Sequence, residues 1–263
     1  MFEFLHYAFF IRAAEAGLII GIIAPLIGIF LVVRRFSLLA DTLSHVTLAG
    51  VALSFLLGTN VILTALVAAL AAAFGIEKLR ARKLLFSESI LALFLSGSLA
   101  ISAVLFGLAK GFNASVFNAL FGSLVTVTES DLKTIIILGL IIIVSVVLFY
   151  KELVMVSFDE QLAEASGVAV RVFNALLIIM AAVTISVAMR MVGVLLVGAL
   201  MVIPVLTAMN YRRGFKQTLV IALAVSLVSV AVGLLISFYA GLPTGGTIIL
   251  INLALFAVSL IRN

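Results

Sequence analysis

The sequence predicts an all-α, polytopic helical membrane protein: one transmembrane domain over residues 1–263, with about eight to nine spans, a re-entrant segment and a short capped helix between two spans. Three observations carry this. Sixty-five per cent of the residues are hydrophobic and only 10% are charged. The mean hydropathy of +1.44 lies far above that of a soluble domain. The apolar residues also fall in runs near the ~20 residues a bilayer-crossing helix needs. At 263 residues, the chain has room for these helices and short loops but for no sizeable soluble domain. The absence of cysteine removes thiolates from the possible metal ligands.

The first run extends from Phe9 to Val33. Glu3 and His6 precede it in place of a basic flank and cleavage site, so it is expected to stay as a span, with His6 an interfacial side chain. Further spans are expected at Leu38 to Leu57, Val61 to Ile76, Ile90 to Gly107 and Leu132 to Phe149, then at Val172 to Met189, Val192 to Ala208, Thr218 to Tyr239 and Thr247 to Ile261. Nine crossings result. Between Gly111 and Thr128, with Asn113, Asn118 and Gly122, the chain is too polar and short to face lipid and suits a re-entrant segment buried in protein. Gly17 and Gly21, Ala49 and Gly50, and Gly193 and Gly198 provide small surfaces for close helix contact. Pro25 and Pro204 fall inside spans, where each is expected to kink its helix or free a carbonyl, and Pro243 lies at a turn.

With nine alternating spans, Arg34, Arg35, Lys78, Arg80, Arg82, Lys83, Lys151, Arg171, Arg212, Arg213, Lys216 and Arg262 share one side. Only Arg12, Lys110, Lys133 and Arg190 fall on the other. The positive-inside rule makes the first side cytoplasmic, with the N-terminus outside and the C-terminus inside. Topology thereby accounts for the net charge of +5, and the basic residues are not clustered to track a nucleic acid.

Asp41 and His45 are the chemically informative pair. Four residues apart, they share one face of a helix, and an ionised Asp at membrane depth costs about 2.5 to 3.5 kcal/mol on insertion scales. A carboxylate and an imidazole suit zinc or manganese better than calcium. Two ligands are too few for a closed site, so a second copy of the chain or water would have to complete the shell. The alternative is a packing or proton-relay pair, with Asp41 hydrogen-bonded to His45 near Thr42 and Ser44, or to a neighbouring helix.

The interval from Ser157 to Gly167 reads as a short helix. Ser157 and Glu160 match an S-x-x-E capping box, Asp159 and Glu160 complement the helix dipole, and Gly167 stands as its stop. Phe158, Leu162 and Ala165 or Ser166 share one face, an apolar ridge suited to a soluble partner. An interfacial helix is disfavoured because Glu160 and Glu164 would face an anionic leaflet without basic neighbours.

Arg34-Arg35-Phe-Ser-Leu-Leu-Ala-Asp41-Thr-Leu-Ser-His45-Val-Thr-Leu-Ala-Gly50, Leu120-Phe-Gly-Ser-Leu124, Phe158-Asp159 through Ala165 and Gly167, the run Val192 to Pro204, and Pro243-Thr-Gly-Gly246 occur in this order. Together they resemble the membrane permeases of bacterial ATP-binding-cassette importers for zinc and manganese, the metal ABC-3 permeases, nearly end to end. The Asp41 to His45 version looks most like the zinc-uptake members. The resemblance implies a homodimeric transport subunit, not an enzyme, in the bacterial cytoplasmic membrane. It also implies two cytoplasmic ATPase subunits docked on a coupling helix formed by Ser157, Phe158, Asp159, Glu160, Leu162, Ala163, Ala165 and Gly167, and an extracytoplasmic metal-binding protein. Asp41 and His45 would form the translocation-path metal site, with Zn2+ or Mn2+ passing through as cargo and no permanently bound cofactor. No G-x-x-x-x-G-K-[ST] phosphate loop occurs in the chain, so a partner would hydrolyse ATP. The competing class is an ion- or proton-coupled secondary metal transporter, which gives no reason for the capped helix. A membrane metalloenzyme would need more ligands and a catalytic acid.

Overall fold

The computed structural model describes residues 7–81, 86–109 and 114–261, and every regular element among them is helical. In hydrocarbon each backbone polar group has to be satisfied within protein, which a helix achieves segment by segment. The helices are α1 (Ala8–Val33), α2 (Leu38–Leu57), α3 (Val61–Ala81), α4 (Ser87–Leu108), α5 (Ala114–Phe121), α6 (Glu129–Leu148), α7 (Tyr150–Phe158), α8 (Glu160–Ala165), α9 (Val170–Val192), α10 (Val197–Met209), α11 (Phe215–Ala240) and α12 (Thr244–Ile261). Glu3, His6, Arg82, Lys83, Lys110, Gly111, Asn113 and Arg262, all read above from sequence, lie outside the described residues.

Eight of these helices, α1 to α4, α6, α9, α11 and α12, are long and apolar enough to cross a bilayer. Helix α1 is the axis of the bundle: 78% of its apolar window is buried, against 28% for α4 and α6 at the periphery. Helices α6, α9, α10 and α11 pack around it. The small-residue surfaces are used as expected. Gly17 and Gly21 of α1 receive Val230 and Leu227 of α11, and Gly50 of α2 seats the backbone of Ala65 in α3.

The expected span from Val192 to Ala208 is not a full helix. Helix α9 continues to Val192, residues 193–196 leave helical geometry, and only the 13 residues of α10 follow. The cause is a backbone knot that no single segment announces. Val194 and Leu195 donate to the carbonyls of Ala119 and Leu120 (3.0 and 3.2 Å), and Ser123 donates to that of Arg190 (3.4 Å). Gly122 and Gly193 have φ of +77° and +87°, and a Cβ on either would run into the other strand's backbone. Gly245 is packed in the same way against Val192 and Phe121. Non-helical backbone is tolerated here because it is buried in protein and hydrogen-bonded. The segment still traverses the bundle, since Asn210 at its far end donates to Ser259 at the C-terminal end of α12 (2.8 Å). The expected re-entrant stretch becomes α5, eight residues long, followed by a 3-10 turn at Leu124–Thr126.

The ends of the bundle differ in charge as the sequence predicts. Arg34, Arg80 and Lys216 gather with α7 and α8 at one end. At the other, Arg12 and Arg190 each face a carboxylate, Glu129 and Asp131, both at 3.8 Å. Asp131 also completes a capping box with Thr128 at the start of α6.

Candidate functional site

Asp41 lies in the first turn of α2 and His45 one turn further on. The hydroxyls around them are committed elsewhere. Thr42 donates to the carbonyls of Leu38 (2.9 Å) and Leu91 (3.3 Å), Ser44 to that of Ala40 (2.8 Å) and Thr47 to that of Leu43 (2.8 Å). Each hydroxyl is thus satisfied by backbone. His45 keeps a buried Nδ1 with no hydrogen-bond partner. Asp41 is exposed on the chain's surface and takes part in none of the ion pairs among the described residues. A carboxylate and an imidazole on one helix face, with lone pairs uncommitted, are the donor set of a half-site for a divalent transition metal. No third His, Cys, Asp or Glu among the described residues joins them.

A residue read from sequence only as a packing surface sets the carboxylate's position. Gly198, in the first turn of α10, lies directly against Asp41: a Cβ there would overlap Asp41 Oδ1 and come within 3.3 Å of its Cγ. The break at residues 193–196 brings this glycine opposite α2. Spacing alone shows no such contact, because 157 positions separate the two residues.

The second cluster surrounds α8. Ser157 does not cap this helix. It lies in the last turn of α7, buried, with its Oγ unpartnered. Asp159 is the N-cap, its Oδ1 accepting from the amides of Gln161 (2.9 Å) and Leu162 (3.0 Å). A carboxylate two residues nearer the helix competes better than the serine because α7 still claims Ser157. Gly167, at φ +84°, stops α8 as expected. Its amide donates to Glu164 and that of Val168 to Ala163, both at 3.0 Å, the Schellman pattern. Phe158, the last residue of α7 and so outside the short helix, and Leu162 of α8 are 63% and 59% exposed, whereas Ala163 is fully buried.

Glu160 does have basic neighbours. Its Oε1 accepts from Arg34, from Arg80 (3.0 Å) and from Asn174 of α9 (3.2 Å). Arg80 also pairs with Glu77 at 3.7 Å and lies 5.1 Å over the Phe36 ring. Burial pushes the Glu160 carboxyl up, but the charges of Arg34 and Arg80 and the hydrogen bonds from Asn174 and Arg80 outweigh it and hold the group below the usual carboxylate range. Burial, then the charge of Arg80, lowers Arg34 from its ordinary value, and Glu160 offsets part of this. The sequence signal for the cluster was the Arg34-Arg35 pair, accounted for there by topology.

The family described as ABC 3 transport family matches residues 6–263. The manganese import system permease protein ScaB of Streptococcus gordonii is 31% identical over 256 residues, covering 97% of this chain and 92% of ScaB. The chelated iron transport system membrane protein YfeD of Yersinia pestis is 31% identical over 258 residues, covering 98% and 86%. Among solved structures, PsaBC from Streptococcus pneumoniae in complex with Fab matches with a TM-score of 0.86 at 30% identity, over 98% of this chain and 94% of the matched chain.

Proposed function

Because this chain belongs to the ABC 3 transport family and is a membrane permease of metal ABC transport, we propose that it imports a divalent transition metal across the bacterial cytoplasmic membrane, driven by ATP hydrolysed on a partner. The observation that carries this reading is the Asp41 and His45 pair: one helix face, no competing hydrogen bond, and Asp41 exposed as a residue with one carboxylate oxygen seated against Gly198. An incomplete shell suits transport, since an ion held by four fixed ligands would not leave. The reading includes a homodimer in which each copy presents its own Asp41 and His45 to the path, two protein ligands per copy leaving the ion free to depart. The exposed Phe158 at the end of α7 and Leu162 on α8 offer a docking surface for the ATPase, and an extracytoplasmic metal-binding protein would deliver the ion at the Arg12 and Arg190 end. The basic end then faces the cytoplasm, with the N-terminus outside and the C-terminus inside.

The zinc preference expected from the sequence around Asp41 rests on that stretch alone. Relatives named for manganese and iron transport make manganese the first ion to test. The experiment is metal uptake into proteoliposomes holding permease and ATPase, with Mn2+ and Zn2+ compared. Asp41→Ala and His45→Ala are each expected to abolish uptake while the protein assembles normally. Native uptake in either variant refutes the site, loss of assembly points to packing, and uptake without ATP points to a secondary transporter.

A further inference from the structure

Helix α8 is closed at both ends, by the Asp159 cap and by the Schellman turn at Gly167, so its six residues move as one unit. Its exposed ridge and its first residue face different neighbours. Phe158 and Leu162 are open to a partner, while the Glu160 side chain, 44% exposed, turns one oxygen to three helix ends, accepting from Arg34 after α1, Arg80 near the end of α3, and Asn174 near the start of α9. The Arg34 side chain is only 7% exposed. A guanidinium so enclosed depends on its counter-charge, because without it the arginine is left desolvated and unpaired.

From Arg34 the path to Asp41 is short and has little slack. The amide of Arg35 donates to Val32 (2.9 Å) and that of Phe36 to Leu31 (2.8 Å), a Schellman closure with Arg35 at φ +56° in the position that usually holds glycine. The amides of Leu39 and Ala40 then donate to Phe36 and Ser37, both at 3.1 Å, so α2 starts directly from this turn. Arg80 is fixed to the same turn by the Phe36 ring. Helices α3 and α9 both pack along α2. A shift of α8 that carries Glu160 with it therefore pulls on the turn from which the Asp41 helix starts.

We propose that Glu160 is the positioning residue that transmits movement of α8, through Arg34 and the Arg35–Ser37 turn, to the Asp41 and His45 site. This deepens the reading given above and rests on it. Neither the ridge nor the half-site contains the transmission element. Glu160 and Arg34 belong to neither the Asp41 and His45 pair nor the apolar ridge, and act by position.

The test uses permease and ATPase reconstituted together in liposomes, with Mn2+ uptake and ATP hydrolysis measured in parallel and normalised to co-purified ATPase. Glu160→Gln keeps the shape but loses the charge, and the Mn2+ carried per ATP is expected to fall at least tenfold. The exchange Arg34→Glu with Glu160→Arg, made together with Arg80→Gln so that no like charge faces the new arginine, restores an opposite-charge pair and is expected to recover a substantial part of the ratio. An unchanged ratio in Glu160→Gln overturns the proposal. If Glu160→Gln does not assemble, the exchange decides: assembly recovered with coupling supports transmission, and assembly recovered without coupling shows a purely structural pair and overturns it. Leu162→Asp in parallel separates the two levels. An ATPase that stays bound and Mn2+-stimulated in that variant refutes docking on α8, whereas an unchanged ratio in Glu160→Gln while Leu162→Asp still releases the ATPase refutes transmission alone.

Discussion

Gly198→Ala tests the geometry of the half-site most directly. A methyl group at this position would stand roughly 1 Å inside ordinary contact with Asp41 Oδ1. The atom it meets is the far end of a side chain, so the carboxylate swings aside and the helices stay packed. Ligand distances in metal sites hold to about 0.2 Å, so a displacement of about 1 Å takes the oxygen out of its place. A disturbance of ligand orientation costs about 10- to 100-fold in affinity, equivalent to about 1.4 to 2.7 kcal/mol. Stability should move the other way or not at all, since alanine is favoured over glycine inside a helix by about 1 kcal/mol. The assay is calorimetric Mn2+ binding to purified permease alongside its thermal unfolding. Gly97→Ala serves as control, because a Cβ there meets nothing. Affinity unchanged within twofold would refute the claim that Asp41, held where Gly198 leaves room, is a ligand, and a fall in affinity matched by a fall in unfolding temperature would show that Gly198 serves packing.

Leu162→Asp puts a charge into the exposed apolar surface at α8 and is expected to release the ATPase, read by co-purification, without changing Mn2+ affinity; retained ATPase moves the docking surface to another segment, such as the end of α3 carrying Glu77 and Lys78. Gly28→Ala would drive a Cβ into the Met201 carbonyl where α1 crosses α10; backbone cannot yield there as a side chain can, and a loss of about 1 to 3 kcal/mol in unfolding free energy is expected, with a native unfolding curve arguing that the two helices are not in this contact. Glu160 is held below its ordinary value, so the stability it contributes is fully present above the unfolded value of about 4.3 and is lost as pH falls through the lower folded value. Unfolding temperatures from pH 7 to 5 should therefore carry no Glu160 contribution to their slope, and the decline below about pH 4.3 should shrink in Glu160→Gln; an identical acid limb in both proteins would show that the carboxylate is not held by Arg34 and Arg80.

Composition and periodicity fixed the class of this protein because a bilayer admits few solutions: a run of apolar residues of sufficient length must be a helix, and its flanking charges must lie at its ends. That is why α1, α2 and α12 begin and end near the expected residues, and why Arg34 and Arg80 fall at one end with Arg12 and Arg190 at the other. The Asp41 and His45 pair was legible for the same reason, since four residues of helix put two side chains on one face whatever surrounds them. The break between α9 and α10 was not legible. Residues 192–208 are uniformly apolar, and only the meeting of Gly122, Gly193 and Gly245 from three distant segments makes a non-helical path cheaper there than a straight one. Capping of α8 by Asp159 rather than Ser157 was settled by where α7 ends, a boundary that propensity places only loosely. The seat of Asp41 on Gly198 and the convergence of Arg34, Arg80 and Asn174 on Glu160 belong to tertiary structure alone. Uniform hydrophobicity tells each helix to be in the membrane but carries no information about which neighbour it meets, so those partners are chosen by close packing and by the few charges that have to find one another.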